Sequence, residues 1–378
     1  MAYYFIFPEK DSTLYSHPDR DSLNTGQDEI LELVKEKISS QTKFYPSRIL
    51  IQFSDSNIKK AFDKIGLSSY NTNLQLFSTE HKNLAINQSV EAYPLAKAWE
   101  EGKGRYTNTP TSSNGCSWLF KDGSVRANKW LTASFDIGTT GSISPSSNIT
   151  PGGGEWYTGS GFLASQSFSN ADILDLNINV TSIVGKFSAS FNGSSYPVGI
   201  PNYGFILKYP QTAEEFSSGS YGDLQYFSTD THTIYPPRLA FKWDDSIHNS
   251  QSFSKNNGEL NVSLYRNKKE YNQNDEALIR LHVRDKYPIR QFTSSSNYLQ
   301  PGYFTTSSYY SIRDAHTEEV IIPFDDDFTK LSADIEGMYF KLHMNGLQPE
   351  RYYRILFKHI NNDGIQIYDD NYHFKVVR

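Results

Sequence analysis

The chain has 378 residues, a formal net charge of −6 and a single cysteine, Cys116. That length calls for two or three separately packed cores, and an acidic balance with no stripe of Lys and Arg among aromatics excludes nucleic acid as an expected partner. One cysteine leaves no intrachain disulfide, so folding in a reducing cytosol is expected; a start without a basic n-region, and no segment near ~20 apolar residues, speak against Sec export and membrane insertion.

Aromatic residues make up 15% of the chain, with 26 Tyr and 24 Phe against 3 Met. Such usage suits pleated, half-buried surfaces, and an all-β fold follows. Residues 3–7 read as a first strand and Leu14-Tyr15 as a second. Leu31 to Ile38 reads as strand, because Glu32 and Lys35 spoil a helical face. Arg48-Ile-Leu-Ile-Gln-Phe53 is apolar enough for a buried strand. Asp55 then caps one helix to Ile65, in which Ile58, Ala61, Phe62 and Ile65 recur at three and four. Asn73 to Phe77 and Ser89 to Ala96 are strands again, the latter turning at Pro94.

From about 103 to 170 the chain reads as a long loop insertion, punctuated by Gly104, Gly115, Gly123, Gly138, Gly141 and the flexible turn Gly152-Gly-Gly154. Loops of this length in compact domains contact partners or carry function. Trp118, Trp130, Trp156 and Tyr157 fall within it and are the candidate binding residues. They are either core anchors of the loop or an exposed surface for sugar stacking or subunit contact. The strand pattern resumes at Asp172 and ends near Trp243. Asp244 to Gly258 reads as a polar linker, which divides the chain into domains over 1–250 and 251–378. Six further strand segments, Leu260 to Tyr265, Ala277 to Val283, Glu319 to Ile322, Tyr339 to Met344, Tyr352 to His359 and His373 to Val377, suggest an immunoglobulin-like or fibronectin-like sandwich.

Catalytic chemistry is not encoded in a recognisable form. There is no Gly-x-Ser-x-Gly elbow, and Cys116 has no activating neighbour in sequence. The nine histidines are scattered singly, without metal-ligand spacing. Glu100, Glu101, Asp172 and Asp175 are carboxylates that sequence cannot pair for glycosidase work. The expectation is therefore a protein that is not an enzyme and has no catalytic residue, no metal site and no cofactor. Asp325-Asp-Asp327 alone offers adjacent carboxylates of the kind Ca²⁺ takes, with a turn capping Phe328 as the competing reading.

Seven segments in order carry a resemblance: Asp11-Ser-Thr-Leu-Tyr-Ser16, Asn24-Thr25-Gly26, Ser47 to Phe53, Tyr93 to Gly104 with Trp99 and Glu101, Asp172 to Thr181, Asn202 to Leu207, and Pro236 to Phe241. Together they resemble a DNRLRE-type domain over residues 3–243, interrupted by a long insertion between Trp118 and Asp172. That resemblance implies a jelly-roll-like β-sandwich, akin to carbohydrate-binding modules of extracellular proteins, with structural calcium in some members and no catalytic residue. Gly346-Leu-Gln-Pro-Glu-Arg-Tyr-Tyr353 is similar to the tyrosine corner of fibronectin type III domains, which makes Leu347, Pro349 and Tyr353 markers of fold.

An extracellular-type module on a cytosolic chain is consistent if the finished particle leaves by lysis. The chain, with its Tyr/Ser/Asn-rich loops, resembles virion structural proteins of long-tailed marine phages. The resemblance implies a tail-associated protein (baseplate, neck or fibre attachment) assembled in the host cytoplasm, joined to other virion proteins in a symmetric multi-subunit assembly. The alternative is a carbohydrate-binding adhesion protein for a host surface glycan, which requires Trp118, Trp130 and Trp156 exposed on one face.

Overall fold

The computed structural model describes residues 2–37, 44–79, 87–107, 114–125, 128–130, 140–142, 152–169, 172–191, 199–215, 221–248, 259–287, 302–361 and 364–378. In chain order the first elements are Ala2–Ile6 (β1), Pro8–Tyr15 (β2), Ile30–Lys37 (β3), Phe44–Phe53 (β4), the helix Asp55–Ile65 (α1), Tyr70–Leu76 (β5) and Gln88–Pro94 (β6). Thr140–Ser142 (β7), Glu155–Tyr157 (β8), Ala164–Phe168 (β9) and Leu176–Asn179 (β10) precede the helix Thr181–Phe191 (α2). Phe205–Lys208 (β11), the short helix Gln211–Glu215 (α3), Tyr221–Phe227 (β12) and Arg238–Trp243 (β13) follow. The remaining strands are Leu260–Leu264 (β14), Glu270–Asn272 (β15), Glu276–Asp285 (β16), Ser308–Asp314 (β17), Val320–Ile322 (β18), Ser332–Asp334 (β19), Gly337–His343 (β20), Tyr352–Asn361 (β21) and Gly364–Val377 (β22). The chain is all-β, with several sheets and few short helices. Among the described residues no helix is long and apolar enough to cross a membrane.

Two compact units are present. The larger comprises Ile6–Lys64 and Thr72–Ala240; the smaller comprises Met1–Phe5, Ile65–Asn71 and Phe241–Arg378. The expected domains were 1–250 and 251–378; the smaller unit takes in Met1–Phe5 and the internal segment Ile65–Asn71 besides the C-terminal residues. Most of the expected linker lies outside the described residues, and the boundary falls inside β13.

In the larger unit, strands run in the order β12-β3-β4-β11-β6-β9, with β2 also paired to β4. Strand β4 is buried on both faces for nearly its whole length, which is why Ile49-Leu-Ile51 runs apolar without alternation. Helix α1 spans the residues its spacing requires and buries Ile58, Ala61 and Ile65. Helix α2 stands where strand was expected to continue. Asn179 starts it by accepting hydrogen bonds from the backbone N–H (3.1 Å) and hydroxyl (2.7 Å) of Thr181, the side-chain cap that an exposed helix start needs.

In the smaller unit, β14-β16-β20-β19 form one sheet and β15-β22-β21-β17-β18 the other. The strand pairs within them are antiparallel except β15 with β22, which is parallel. The first edge segment thus divides between the sheets, an immunoglobulin-like sandwich arrangement. Strand β16 alternates buried and exposed residues, and the rings of Tyr310 and Phe340 stack at 4.0 Å in the core. The Tyr353 hydroxyl donates to the Gln348 carbonyl at 2.9 Å, with Leu347 buried beside the same turn and Pro349 half-buried in it. A hydroxyl bonded a few residues upstream is the bond a tyrosine corner makes.

The residues Met1–Phe5 pack within this smaller unit. Asn345 donates its side-chain amide to the Phe5 carbonyl at 2.7 Å, and Tyr3 donates to Asp325 at 3.0 Å. Gly346 lies so close that a Cβ there would fall 2.1 Å from the Phe5 ring.

Candidate functional site

Residues 10–13, 24–25, 99–104 and Cys116 meet in one buried knot. Thr25 donates its hydroxyl to the Thr13 carbonyl (2.7 Å) and accepts from the Thr13 N–H (3.1 Å). Asn24 donates to the carbonyls of Glu101 (2.6 Å) and Cys116 (2.8 Å) and accepts from the Gly104 N–H (2.7 Å). One amide thereby satisfies three backbone groups from two distant chain segments. Gly102 and Gly115 let two backbones touch; both have positive φ. Lys10 donates to the Trp99 carbonyl and sits over the Trp99 ring.

Asp11 lies in the same knot and is almost fully buried. Its carboxylate accepts from the Thr229 N–H and hydroxyl, both at 2.7 Å, while its own N–H donates to Glu101 at 3.0 Å. Burial pushes its carboxyl up to about 7, with the Thr229 bonds opposing and the charges of Glu101 and Asp230 adding to the rise. Folded protein therefore keeps this proton to about pH 7, whereas the unfolded chain releases it near its ordinary value of 3.8. The unfolded state binds fewer protons across that window, so this group's contribution makes stability fall as pH rises through it. The variant Asp11→Asn is expected to lose that component of the slope, read as the difference between its urea midpoints at pH 5 and pH 8 and those of the parent.

Trp118, Trp130 and Trp156 come together, but inside. They are 0%, 1% and 7% exposed and share one cluster with Trp99, Cys116, Leu14, Leu50, Leu95 and Ile206. Of the two readings offered by the sequence, core anchor or exposed stacking surface, these burials match the core anchor, and the indoles leave no open ring face for a sugar. Trp130 donates its indole N–H to the Ser117 carbonyl at 2.9 Å. Tyr157 stands apart, half-buried and stacked on Phe162 at 5.6 Å. Nor is Gly152-Gly-Gly154 merely a flexible turn. A Cβ on Gly153 would fall 2.7 Å from the Trp118 ring, so glycine is what allows that contact.

Sequence reasoning missed the charges under these rings. Arg48, in the middle of β4, is fully buried and forms a two-pronged pair with Glu214 of α3, at 2.5 and 3.2 Å. Its third bond goes to the Gly153 carbonyl at 2.8 Å. The guanidinium lies 4.7 Å from the Trp118 ring centroid and 5.2 Å from that of Trp156. Buried Lys208 stands 3.6 Å from Glu214 and 3.8 Å from Glu91. Burial lowers its pKa while Glu214 pulls the other way. The only signal in sequence was an arginine inside an apolar run.

Asp325-Asp-Asp327 forms a turn. Asp325 accepts the N–H groups of Asp327 (2.9 Å) and Phe328 (3.0 Å), and Asp326 pairs with Lys358 at 2.9 Å. The three carboxylates do not converge, and among the described residues no group of His, Cys, Asp and Glu is placed to hold a metal.

A polar pocket of about 520 Å³ opens where β6, β9 and the start of α3 meet. Asn87, Gln88, Ser89, Ser167, Ser169 and Thr212 are among the residues that line it. Gln88 is 5% exposed, and neither polar atom of its side chain has a hydrogen-bond partner. Against this geometry, the comparisons with known proteins give no relative: no protein-family model matches the chain, and no curated protein matches its sequence.

Proposed function

We propose that the protein is a non-catalytic structural component of a long-tailed phage virion, tail-associated at the baseplate, neck or fibre attachment, and that it acts through interfaces with other virion proteins. The observation that carries this reading is the outer face of the β21–β22 hairpin. Ile365 and Ile367 are 66% and 60% exposed, and they stand opposite Ile360 and Lys358 of β21. An apolar strip held in solvent by a rigid sheet invites cover by another subunit, and a standard interface needs ~800 Å² from each partner. The resemblance of the sequence to phage virion proteins points the same way.

Electron microscopy of the native particle, with this chain's density located, tests the proposal. The expected result is the β21–β22 hairpin covered by a neighbouring tail protein. A chain projecting from the particle with that hairpin in solvent would overturn it.

A further inference from the structure

We propose that the outer edge of β22 is a self-pairing strand edge, through which two copies of this chain join antiparallel about a two-fold axis. The inference rests on the reading of the β21–β22 hairpin as an interface, and it names what covers that hairpin.

Backbone geometry leaves the edge open. Strand β21 lies between β17 and β22, and the Ile360 N–H donates to the Ser307 carbonyl at 2.9 Å, on the β17 side. Residues along a central antiparallel strand bond alternately to one neighbour and the other, so His359 and Asn361 bond toward β22, opposite Gln366 and Gly364. The N–H and C=O groups of Ile365 and Ile367 therefore point the other way, out of the sheet. On that side β15 pairs only with Lys375 to Val377, and among the described residues no strand pairs with the outer edge from Gly364 to Tyr368.

The guards that an edge strand commonly carries are missing. A charge or a proline discourages pairing, yet Gly364-Ile-Gln-Ile-Tyr368 has neither. Ile365 and Ile367 are 66% and 60% exposed, while Tyr368 turns to the opposite face, its ring 5.4 Å from that of Phe304. Backbone donors and acceptors and an apolar strip thus face outward over the same residues, the combination that takes an added strand.

A second copy fits this edge because an isologous interface has to match itself. With the axis between two Gln366 residues, each Ile365 lies opposite Ile367 of the other copy, and each such pair exchanges both of its backbone hydrogen bonds. Asp369, at the end of the strip, is already paired with Arg354, so the carboxylate nearest the isoleucines does not stand unanswered against a second copy.

Sedimentation velocity on the full chain over a concentration series is expected to show a monomer–dimer equilibrium. Ile367→Glu places a charge on the edge, opposite Lys358 of its own chain, and should weaken the dimer at least about tenfold with no loss of melting temperature. Cross-linking gives a second readout, because the one native cysteine, Cys116, is fully buried. Residues that face each other without ladder bonds bring their Cα atoms to about 4.5 Å, within the range a disulfide spans. Gln366→Cys should therefore form a disulfide-linked dimer under mild oxidation, and Ile365→Cys, which meets Ile367 rather than itself, should not. A chain that stays monomeric throughout the series, a dimer that Ile367→Glu leaves intact, or failure of Gln366→Cys to cross-link more readily than Ile365→Cys would overturn the proposal. The native particle separates it from the virion reading: a different protein seated on the hairpin sinks the self-pairing alone, whereas a chain that dimerises through this edge in solution but projects from the particle with the hairpin bare sinks the virion reading alone.

Discussion

Replacing Arg48 with Met is expected to destabilise the larger unit by about 3–5 kcal/mol, the usual result of removing one member of a buried ion pair. Glu214 would remain 1% exposed at its side chain with its two-pronged partner gone, and Lys208 would have to answer both Glu91 and Glu214. The loss also removes the bond to the Gly153 carbonyl and the cation held against Trp118 and Trp156. Urea unfolding followed by tryptophan fluorescence measures it. The double variant Arg48→Met with Glu214→Leu should recover much of the loss, since an apolar pair of similar volume often replaces a buried ion pair at little cost. A single-variant loss below about 1 kcal/mol is the value for solvent-screened pairs, and would contradict the burial of this one.

Gly115→Ala should have a comparable effect by a different route. Its φ is +101°, and an added Cβ would fall 2.4 Å from the Gly102 Cα and 2.6 Å from the Glu101 carbonyl oxygen. Both are backbone atoms that no rotamer change can move, so the knot around Asn24 has to open, at an expected cost above ~3 kcal/mol. The neighbouring thiol reports it. Cys116 is fully buried, and burial pushes its thiol up to about 12, so the parent should react slowly with a maleimide at pH 8. In Gly115→Ala the rate should rise at least about tenfold, as local opening exposes the thiol. Gly66→Ala is the control: its φ is +62°, but nothing lies within 4 Å of the added Cβ. It should cost only the ~1 kcal/mol of a left-handed alanine and leave Cys116 unreactive. Equal thiol reactivity in the two variants would remove the steric explanation.

What could be read from sequence was whatever depends on near neighbours. Helix α1 was legible because Ile58, Ala61 and Ile65 repeat at helical spacing, and the turn at Tyr353 because its bond closes over five residues. Helix α2 was not, because Leu176-Asn-Ile-Asn179 alternates like a strand and Ile183 and Val184 prolong a β-branched run past the capping Asn179. The tryptophans announced that the loop mattered but not which way their rings face, which depends on a partner far along the chain. Arg48 and Glu214 are 166 positions apart, and neither sequence neighbourhood hints at the other.

The makeup of the smaller unit bears on how the protein is made. Residues 2–5 are translated before the larger unit, yet their strand partner β13 and the residues they meet at Asp325, Asn345 and Gly346 come more than two hundred positions later. The larger unit can fold during synthesis, as complete domains do, while β1 waits with its apolar side chains unpaired. The smaller sandwich is therefore a late, post-translational closure. A fragment that begins after residue 250 would lack the segment whose Phe5 ring and carbonyl fit against Gly346 and Asn345.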